Sequence, residues 1–307
     1  MTATPWWPAP AKLNLFLHIT GRRADGFHDL QTVFQLLDWG DDIAIEVTRD
    51  GVISRPEGPV GVAPETDLTV RAARALQDAC GVKLGARIRV RKRIPMGGGL
   101  GGGSSDAATV LTVLNQLWGT GLGLTALAAL GLKLGADVPV FVHGASAWAE
   151  ERGDKLTPLE LAPAWYVVVH PGVAVPTASI FQAAELTRNS PVITIRALSL
   201  TQALRTGVST GASASASVGA SAGEDMRNDC EAVVRARYPA VAQALTWLEA
   251  RSPARLSGTG SCVFARFESA AQAERIAARV PDEWTSFVAR GVNRSPLMAA
   301  MAGGRAG

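Results

Sequence analysis

Cysteine and histidine are scarce in this sequence of 307 residues. The three cysteines, Cys80, Cys230 and Cys262, lie far apart and form no Cys-x-x-Cys pair. An odd, dispersed set of cysteines argues against a disulfide framework and indicates reduced thiols, as in a cytosol. The four histidines stand at no spacing typical of metal ligands, so the sequence predicts no structural metal site.

Long apolar runs and clusters of positive charge are also missing. The longest apolar candidate, residues 126–142, is interrupted by Lys133 and Asp137, which argues against a membrane span. The first ten residues contain no apolar signal core. The net charge is only +3 and the arginines are scattered, so nucleic-acid binding is not favoured. We therefore expect a soluble cytoplasmic protein that binds neither nucleic acid nor a membrane.

Glycine, in contrast, is concentrated in one short stretch. Six of the seven residues at 97–103 are glycine, and Ser104, Ser105 and Asp106 follow. Because glycine loses more backbone entropy on folding than other residues, this density suggests a backbone that approaches something closely. The alternating run at 87–91 predicts a strand before the loop, and the residues after it predict a helix with Ser104 or Ser105 as N-cap. A strand, a glycine loop and a helix N-terminus together favour a phosphate site.

Three other interpretations of the glycine stretch are weaker. A P-loop requires a lysine directly before its Ser or Thr, and none precedes Ser104. A dinucleotide-binding fold requires an acidic residue about 20 positions further on, and residues 122–134 supply none. A flexible hinge does not explain why a helix begins where a phosphate would bind.

Two candidate catalytic side chains lie outside the glycine stretch. Residues 12–19 alternate between a face of leucine and isoleucine and a second face that carries Lys12 and Asn14. This pattern predicts an edge strand lining a site, and a solvated face fits the same spacing. Asp137 stands between a glycine turn and an apolar run, where it is either a turn or N-cap residue or a base beside the phosphate loop.

Aromatic residues suggest a second part of the site. Phe27 and His28 follow a predicted turn at 21–26, where they can stack on and hydrogen-bond a base or simply pack in the turn. Thr177 is expected to cap a helix over 178–186 that contains Phe181.

The remainder of the chain contains a low-complexity segment. Fourteen of the eighteen residues at 206–223 are Gly, Ala or Ser, without charge or aromatic residues. Such a segment cannot bury enough apolar surface to order itself, so it predicts a flexible surface insertion. A second glycine turn follows at 255–261, and we expect a frayed tail from Met298.

Three stretches together resemble the motifs of the GHMP small-molecule kinases. They read Pro-Ala-Lys-Leu-Asn-Leu at 10–15, Pro-Met-Gly-Gly-Gly-Leu-Gly-Gly-Gly-Ser-Ser at 95–105 and Ser-Gly-Thr-Gly-Ser at 257–261. Residues 20–28, 134–141 and 170–173 are similar to those of the members that phosphorylate a cytidylated methylerythritol. The resemblance extends from about residue 7 to residue 297.

The resemblance implies an α+β protein with the two-domain GHMP kinase fold. An N-terminal domain like ribosomal protein S5 domain 2 would span 1–160, and a ferredoxin-like domain would span 161–307. ATP would bind in the cleft between them, together with Mg²⁺. The implied reaction is phosphorylation of the 2-hydroxyl group of a small-molecule substrate, the cytidylated methylerythritol, in the non-mevalonate pathway of isoprenoid biosynthesis.

The same resemblance assigns roles to individual residues. Lys12 and Asp137 match the catalytic pair, and Ser104 or Ser105 would help to hold Mg²⁺. The ATP-phosphate loop would consist of Pro95, Met96, Gly97, Gly98, Gly99, Leu100, Gly101, Gly102, Gly103, Ser104 and Ser105. The substrate pocket would consist of Asn14, Phe27, His28, Thr177 and Phe181. Phe27 stands where the family often has tyrosine, so it keeps the stacking ring but lacks the hydroxyl group.

Two alternatives remain from different functional classes. A GHMP kinase for another alcohol, such as homoserine or mevalonate, would have no base to stack on Phe27 and Phe181. A non-catalytic ligand sensor on the same fold would be expected to lose Lys12 or Asp137, and both are present.

Overall fold

The computed structural model describes residues 4–193 and 226–303. The low-complexity segment at 206–223 lies outside these residues. The strands are β1 (Trp6–Arg22), β2 (His28–Thr48), β3 (Ile53–Glu57), β4 (Gly85–Arg91), β5 (Ala147–Glu150), β6 (Lys155–Pro158), β7 (Trp165–His170), β8 (Ala254–Leu256), β9 (Val263–Phe267) and β10 (Thr285–Val292). The helices are α1 (Leu68–Cys80), α2 (Gly102–Leu117), α3 (Leu124–Leu132), α4 (Val138–His143), α5 (Thr177–Phe181), α6 (Glu231–Arg237), α7 (Pro239–Glu249), α8 (Ala270–Ala277) and α9 (Pro296–Gly303).

The strands connect into one continuous path in the order β3-β4-β2-β10-β7-β9-β8. β1 pairs along β2 as a long antiparallel hairpin, and β5 pairs with both β2 and β6. β10 joins the two parts of the sheet, because residues 285–290 pair with β7 and residues 291–292 pair with β2. The predicted strand before the glycine loop is confirmed as β4.

Three apolar cores hold these elements together. The first packs α1, α2 and α4 on β4 and β2, with Leu76, Ile88 and Leu111 fully buried. The second packs α6 and α7 on β7 and β9. A third core contains Phe16, Trp148 and other residues of β1, β5, β7 and β9.

The prediction that the leucine and isoleucine residues of β1 share one face is wrong. Register shifts after Pro10, Asn14 and Ile19 interrupt the alternation. As a result, residues 13, 15 and 16 pack in the third core, while residues 17 and 19 pack in the second. Lys12 and Asn14 are buried as well, so the solvated-face interpretation fails.

Three predicted helix ends also differ from the structure. α2 begins at Gly102 with Gly101 in the left-handed region as N-cap, because the Ser105 amide already donates to the Gly101 carbonyl. α5 begins at Thr177, with Pro176 rather than Thr177 as its N-cap, and it ends at Phe181 rather than continuing to residue 186. The expected frayed tail is instead helix α9 as far as Gly303, anchored by the buried side chain of Leu297 in the first core.

Candidate active site

A cavity of about 1110 Å³ brings the separated motifs together. Its lining includes the glycine loop, Lys12, Asp137, Phe27, Phe181 and Thr177. These residues come from β1, the β1–β2 turn, the loop before α2, the start of α4 and α5. The glycine loop and the aromatic residues line the same cavity. This position does not confirm phosphate binding by the loop or base binding by the rings, but it allows both to contact bound molecules at the same time.

The glycine loop packs closely against the second glycine turn. The amides of Ser261 and Cys262 donate to the carbonyls of Gly97 and Gly98 at 3.1 and 3.0 Å. Gly99 has a positive φ of 74°, and a Cβ atom there would lie 2.1 Å from the Ser257 carbonyl oxygen. A side chain at position 99 would therefore collide with the protein's own backbone, so glycine is required there even without the close approach of a ligand.

The loop ends at the N-terminus of α2. The first amides of a helix have no intrahelical acceptor, and together with the helix dipole they favour an anion. Gly102, Gly103 and Ser104 provide these first residues and line the cavity. The predicted arrangement of glycine loop and helix N-terminus is thus present, and its role in phosphate binding stays a prediction.

Lys12 and Asp137 meet at the edge of this loop. The Lys12 Nζ atom lies 3.4 Å from Asp137 Oδ2, and their side chains are 4% and 34% exposed. Lys12 also donates to Asn14 Oδ1 at 2.5 Å and to the Gly99 carbonyl at 3.0 Å. Asp137 occupies the N-cap position of α4 but makes no capping hydrogen bond. Its carboxylate therefore remains directed to Lys12, which favours the functional over the capping interpretation.

Asn14 lies on β1 and Thr177 contacts the second glycine turn, and both residues line the cavity. Asn14 donates from Nδ2 to Thr32 Oγ1 at 3.0 Å, so both ends of its side-chain amide have protein partners. The Thr177 hydroxyl group lies 3.0 Å from that of Thr259. The roles of Asn14 and Thr177 toward a substrate stay predictions.

Sequence reasoning missed a buried ionic cluster beneath the loop. Lys92 Nζ donates to Asp41 Oδ2 and to Asp106 Oδ2, each at 2.6 Å. Asp41 also accepts from the amides of Arg93 and Ile94. A Cβ atom on Gly102 would lie 2.9 Å from Lys92 Nζ, so this ammonium group sits against the start of α2.

The two carboxyl groups of this cluster, Asp41 and Asp106, differ in charge. Burial raises the pKa of Asp106 to about 8, and the Asp41 carboxylate adds to the shift while Lys92 opposes it. The two carboxylates raise the pKa of Lys92 against the effect of its own burial. One ammonium group between two buried carboxyl groups thus favours retention of one proton on Asp106. In the sequence, Lys92 simply continues the basic run of β4, so no local signal distinguishes it.

The aromatic residues form the other end of the cavity. The His28 and Phe181 rings stack with centroids 5.2 Å apart and an interplanar angle of 28°. Phe27 is 55% exposed, and the Arg152 guanidinium group lies 5.1 Å from its ring centroid. An exposed aromatic ring beside a stacked pair is a suitable surface for a planar ligand.

Comparisons with known proteins agree with this geometry. Models of the GHMP kinases N terminal domain and the GHMP kinases C terminal domain match residues 67–145 and 201–286. The 4-diphosphocytidyl-2-C-methyl-D-erythritol kinase of Alkalilimnicola ehrlichii is 54% identical over 97% of this chain and 94% of its own length. The Halorhodospira halophila protein of the same name is 53% identical over 98% of each chain.

Solved structures give the same result. A crystal structure of a 4-(cytidine 5'-diphospho)-2C-methyl-D-erythritol kinase is 32% identical, with a TM-score of 0.78 over 94% of this chain and 100% of that chain. A mevalonate kinase from Methanococcus jannaschii shares the fold, with a TM-score of 0.66 at 15% identity over 95% of this chain and 99% of that chain.

The chain is therefore a kinase of the GHMP class, with the α+β fold of that class. Within the class, it belongs to the family of 4-diphosphocytidyl-2-C-methyl-D-erythritol kinases.

Proposed function

We propose that this kinase transfers the γ-phosphoryl group of ATP to the 2-hydroxyl group of 4-diphosphocytidyl-2-C-methyl-D-erythritol, in the non-mevalonate pathway of isoprenoid biosynthesis. The observation that carries the proposal is the position of Lys12 and Asp137. They lie in one cavity with both the glycine loop and the aromatic residues. With the phosphate donor bound at the glycine loop and the cytosine ring of the acceptor bound at the aromatic residues, the catalytic pair would lie between the two substrates.

ATP would bind with its phosphates on residues 95–105. The amides at the start of α2 supply hydrogen-bond donors to phosphate oxygens. Lys92 has one ammonium N–H beyond those used by Asp41 and Asp106, and it lines the same cavity. Lys92 would therefore add positive charge that the loop sequence itself does not contain.

The residues present fit a Mg²⁺ ion that accompanies ATP. Among the described residues, the buried Ser105 hydroxyl group and Asp106 Oδ1 have no hydrogen-bond partner. Mg²⁺ prefers oxygen ligands, and it is usually held by one or two protein groups together with substrate phosphates. Ser104 or Ser105 would hold the ion, together with Asp106 once binding of the ion displaces the proton that its raised pKa retains. The bound ion would neutralise phosphate charge.

The reaction needs positioning and charge stabilisation more than covalent chemistry from the protein. The 2-hydroxyl oxygen forms a bond to the γ-phosphorus while the bond from that phosphorus to the bridging oxygen breaks, and ADP leaves. Asp137 orients the hydroxyl group and accepts its proton. Lys12 pairs with Asp137 and offsets negative charge on the transferring group.

The cytidine part of the substrate would bind at the aromatic end. Phe27 and Phe181 provide ring surfaces, and His28, Asn14 and Thr177 provide polar groups. We further infer a cytoplasmic enzyme, because Cys80, Cys230 and Cys262 are free thiols. Free thiols are typical of a reducing compartment. Within the described part of the chain, no helix has the length and apolar character needed to cross a bilayer.

The test is ADP release by the purified protein with Mg·ATP and candidate acceptors. We expect turnover with 4-diphosphocytidyl-2-C-methyl-D-erythritol and none with mevalonate, homoserine or 2-C-methyl-D-erythritol 4-phosphate. Turnover of a plain alcohol alone would retain the kinase chemistry and reject the cytidine pocket. Tight binding of the cytidylated alcohol without ADP release would instead identify a ligand sensor.

A further inference from the structure

Arg188 connects the two sides of the aromatic end of the cavity. Its Nε atom donates to His28 Nε2 at 3.2 Å. Its Nη2 atom donates to the carbonyls of Phe181 and Ala183 at 3.0 and 2.5 Å, and Nη1 donates to the Leu186 carbonyl at 3.1 Å. One guanidinium group therefore joins β2, through His28, to the end of α5 and the turn that follows it.

The contact with His28 determines which ring nitrogen carries a proton. An arginine side chain has only donors, so His28 Nε2 must present its lone pair. The imidazole is then neutral with its hydrogen on Nδ1, because a protonated ring would place an N–H against the guanidinium group. Nδ1–H is consequently the polar group of the His28 ring that is left for a ligand, and it can only donate.

The charges around His28 favour the same state. Burial lowers the pKa of His28, and the positive charges of Arg188 and then Arg22 lower it further. Arg188 is therefore both the hydrogen-bond donor to the ring and a cation that disfavours its protonation.

Arg188 also fixes the geometry of the stack. It binds the main-chain carbonyl of Phe181, whose ring lies on that of His28. Without this link, the ring of Phe181 would be positioned only by the short helix α5 and the packing of its side chain.

We propose that Arg188 is a positioning residue for the base-binding end of the site: it keeps His28 neutral, with its hydrogen on Nδ1, and holds it against Phe181. The occupant would be the cytosine ring of the substrate, since N3 and O2 of cytosine are hydrogen-bond acceptors. This inference rests on the proposed function.

The test compares Arg188→Met with Arg188→Lys, which keeps the charge. Arg237→Met is the matched control, because Arg237 also binds a main-chain carbonyl of α5, that of Ser179, but contacts Glu185 rather than His28. The measurements are the Kd of CDP by calorimetry between pH 6 and 8, the ¹⁵N chemical shifts of His28, and the kcat and KM values of the wild-type and variant proteins.

We expect Arg188→Met to raise the Kd of CDP and the KM for the cytidylated substrate by about tenfold, which is typical for loss of a hydrogen bond involving a charged group. The KM for ATP should not change, and kcat should change far less than KM. Without Arg188, the Nε2–H tautomer of His28 should become populated, and its Nδ1 lone pair would then face the acceptors of cytosine. The pKa of His28 should also rise toward its ordinary value. Because protonation returns a hydrogen to Nδ1, the loss of CDP affinity in Arg188→Met relative to the wild type should shrink as the pH falls below 7. Arg188→Lys should restore the wild-type pH profile, and Arg237→Met should behave like the wild type.

Several results would overturn the inference. One is CDP affinity in Arg188→Met equal to that of the wild type. Another is a loss that is the same at every pH with unchanged ¹⁵N shifts, which would indicate a purely structural role. If Arg188→Met does not fold, an Nε2–H tautomer of His28 in the wild type would itself reject the proposal. A wild type that does not bind CDP would instead reject the proposed function.

Discussion

Lys12 and Asp137, the proposed catalytic pair, differ in burial and in charge. Lys12 is almost fully buried, and it has Asp137, Asn14 and the Gly99 carbonyl as partners. Asp137 is one-third exposed on the cavity side, so a substrate hydroxyl group can reach it. A buried cation with fixed partners remains in place when the substrate arrives, which reduces reorganisation during the reaction.

The first prediction concerns this pair. Asp137→Asn removes the proton acceptor but keeps the shape of the side chain, so we expect kcat to fall by about 10²–10⁴-fold. The KM values for ATP and for the acceptor should change little. Lys12→Met should also lower kcat more than it weakens ATP binding.

Steady-state kinetics with ADP detection, together with circular dichroism to verify folding, checks this prediction. A near-wild-type rate for Asp137→Asn would remove its role as base. A change in Lys12→Met confined to the KM for ATP would assign Lys12 to nucleotide binding alone.

At the scale of elements, the Lys92 cluster joins three parts of the fold. Asp41 lies on β2, Lys92 directly follows β4 and Asp106 lies in the second turn of α2. Both Asp41 and Asp106 are buried. The cluster therefore holds the N-terminus of α2 at the end of the sheet, where the glycine loop must enter the helix.

The second prediction separates the members of this cluster. Lys92→Met leaves the buried Asp41 carboxylate without its cation, and breaking a buried ion pair in this way costs roughly 3–5 kcal/mol of unfolding free energy. Asp106→Asn should destabilise the protein much less, because the raised pKa of Asp106, about 8, already favours its neutral form at pH 7.

Urea unfolding at pH 7 measures both variants against the wild type. Equal destabilisation by the two substitutions would contradict the proposed distribution of charge. A variant with Arg93→Met serves as the control, because the Arg93 side chain is 50% exposed and pairs with Asp42 at the surface.

Across the whole molecule, the site depends on the packing of separate cores around one cavity. The glycine loop is held from one side by β1, through the Lys12 amide and the Leu100 carbonyl. The turn at 257–261 holds it from the other side. The last described helix, α9, returns to the first core through Leu297. The predicted domain boundary at residue 160 stays a prediction.

The third prediction uses partly buried histidines distributed over the molecule. Burial lowers the pKa of both His143 and His170 below the ordinary value of 6.5. Each of these histidines binds more protons in the unfolded chain than in the folded one in this range, so its contribution to the free energy of unfolding should decrease as the pH falls through 6.5 toward its folded-state pKa. The proton retained on folded Asp106 acts in the opposite direction, so the histidine contribution is read from the difference between a histidine variant and the wild type.

Thermal unfolding between pH 7.5 and 5.5 measures this dependence. His143→Gln should reduce the slope, because it removes one group whose protonation differs between the two states. The same slope in His143→Gln and in the wild type would show that His143 does not titrate as its burial implies.

Local sequence patterns were sufficient for much of the site. The glycine stretch, Lys12 in its strand, Asp137 at the start of a helix and the aromatic pair at 27–28 are all recognisable because their neighbours in the chain define their setting. The helix starts and ends were less predictable, since Gly101 replaced the serines as N-cap of α2 and Arg188 binds the carbonyls at the end of α5.

The sequence by itself therefore determined the family and the α+β class and predicted the chemical groups of the reaction, because motif spacing is a local property of the chain. Only the tertiary structure decided what holds those groups in place. Lys92 and Asp41 are 51 residues apart, and Arg188 and His28 are 160 residues apart. Hydrogen bonds and ion pairs between such distant residues leave no periodic signal, because their strength depends on distance in space and on burial rather than on separation along the chain.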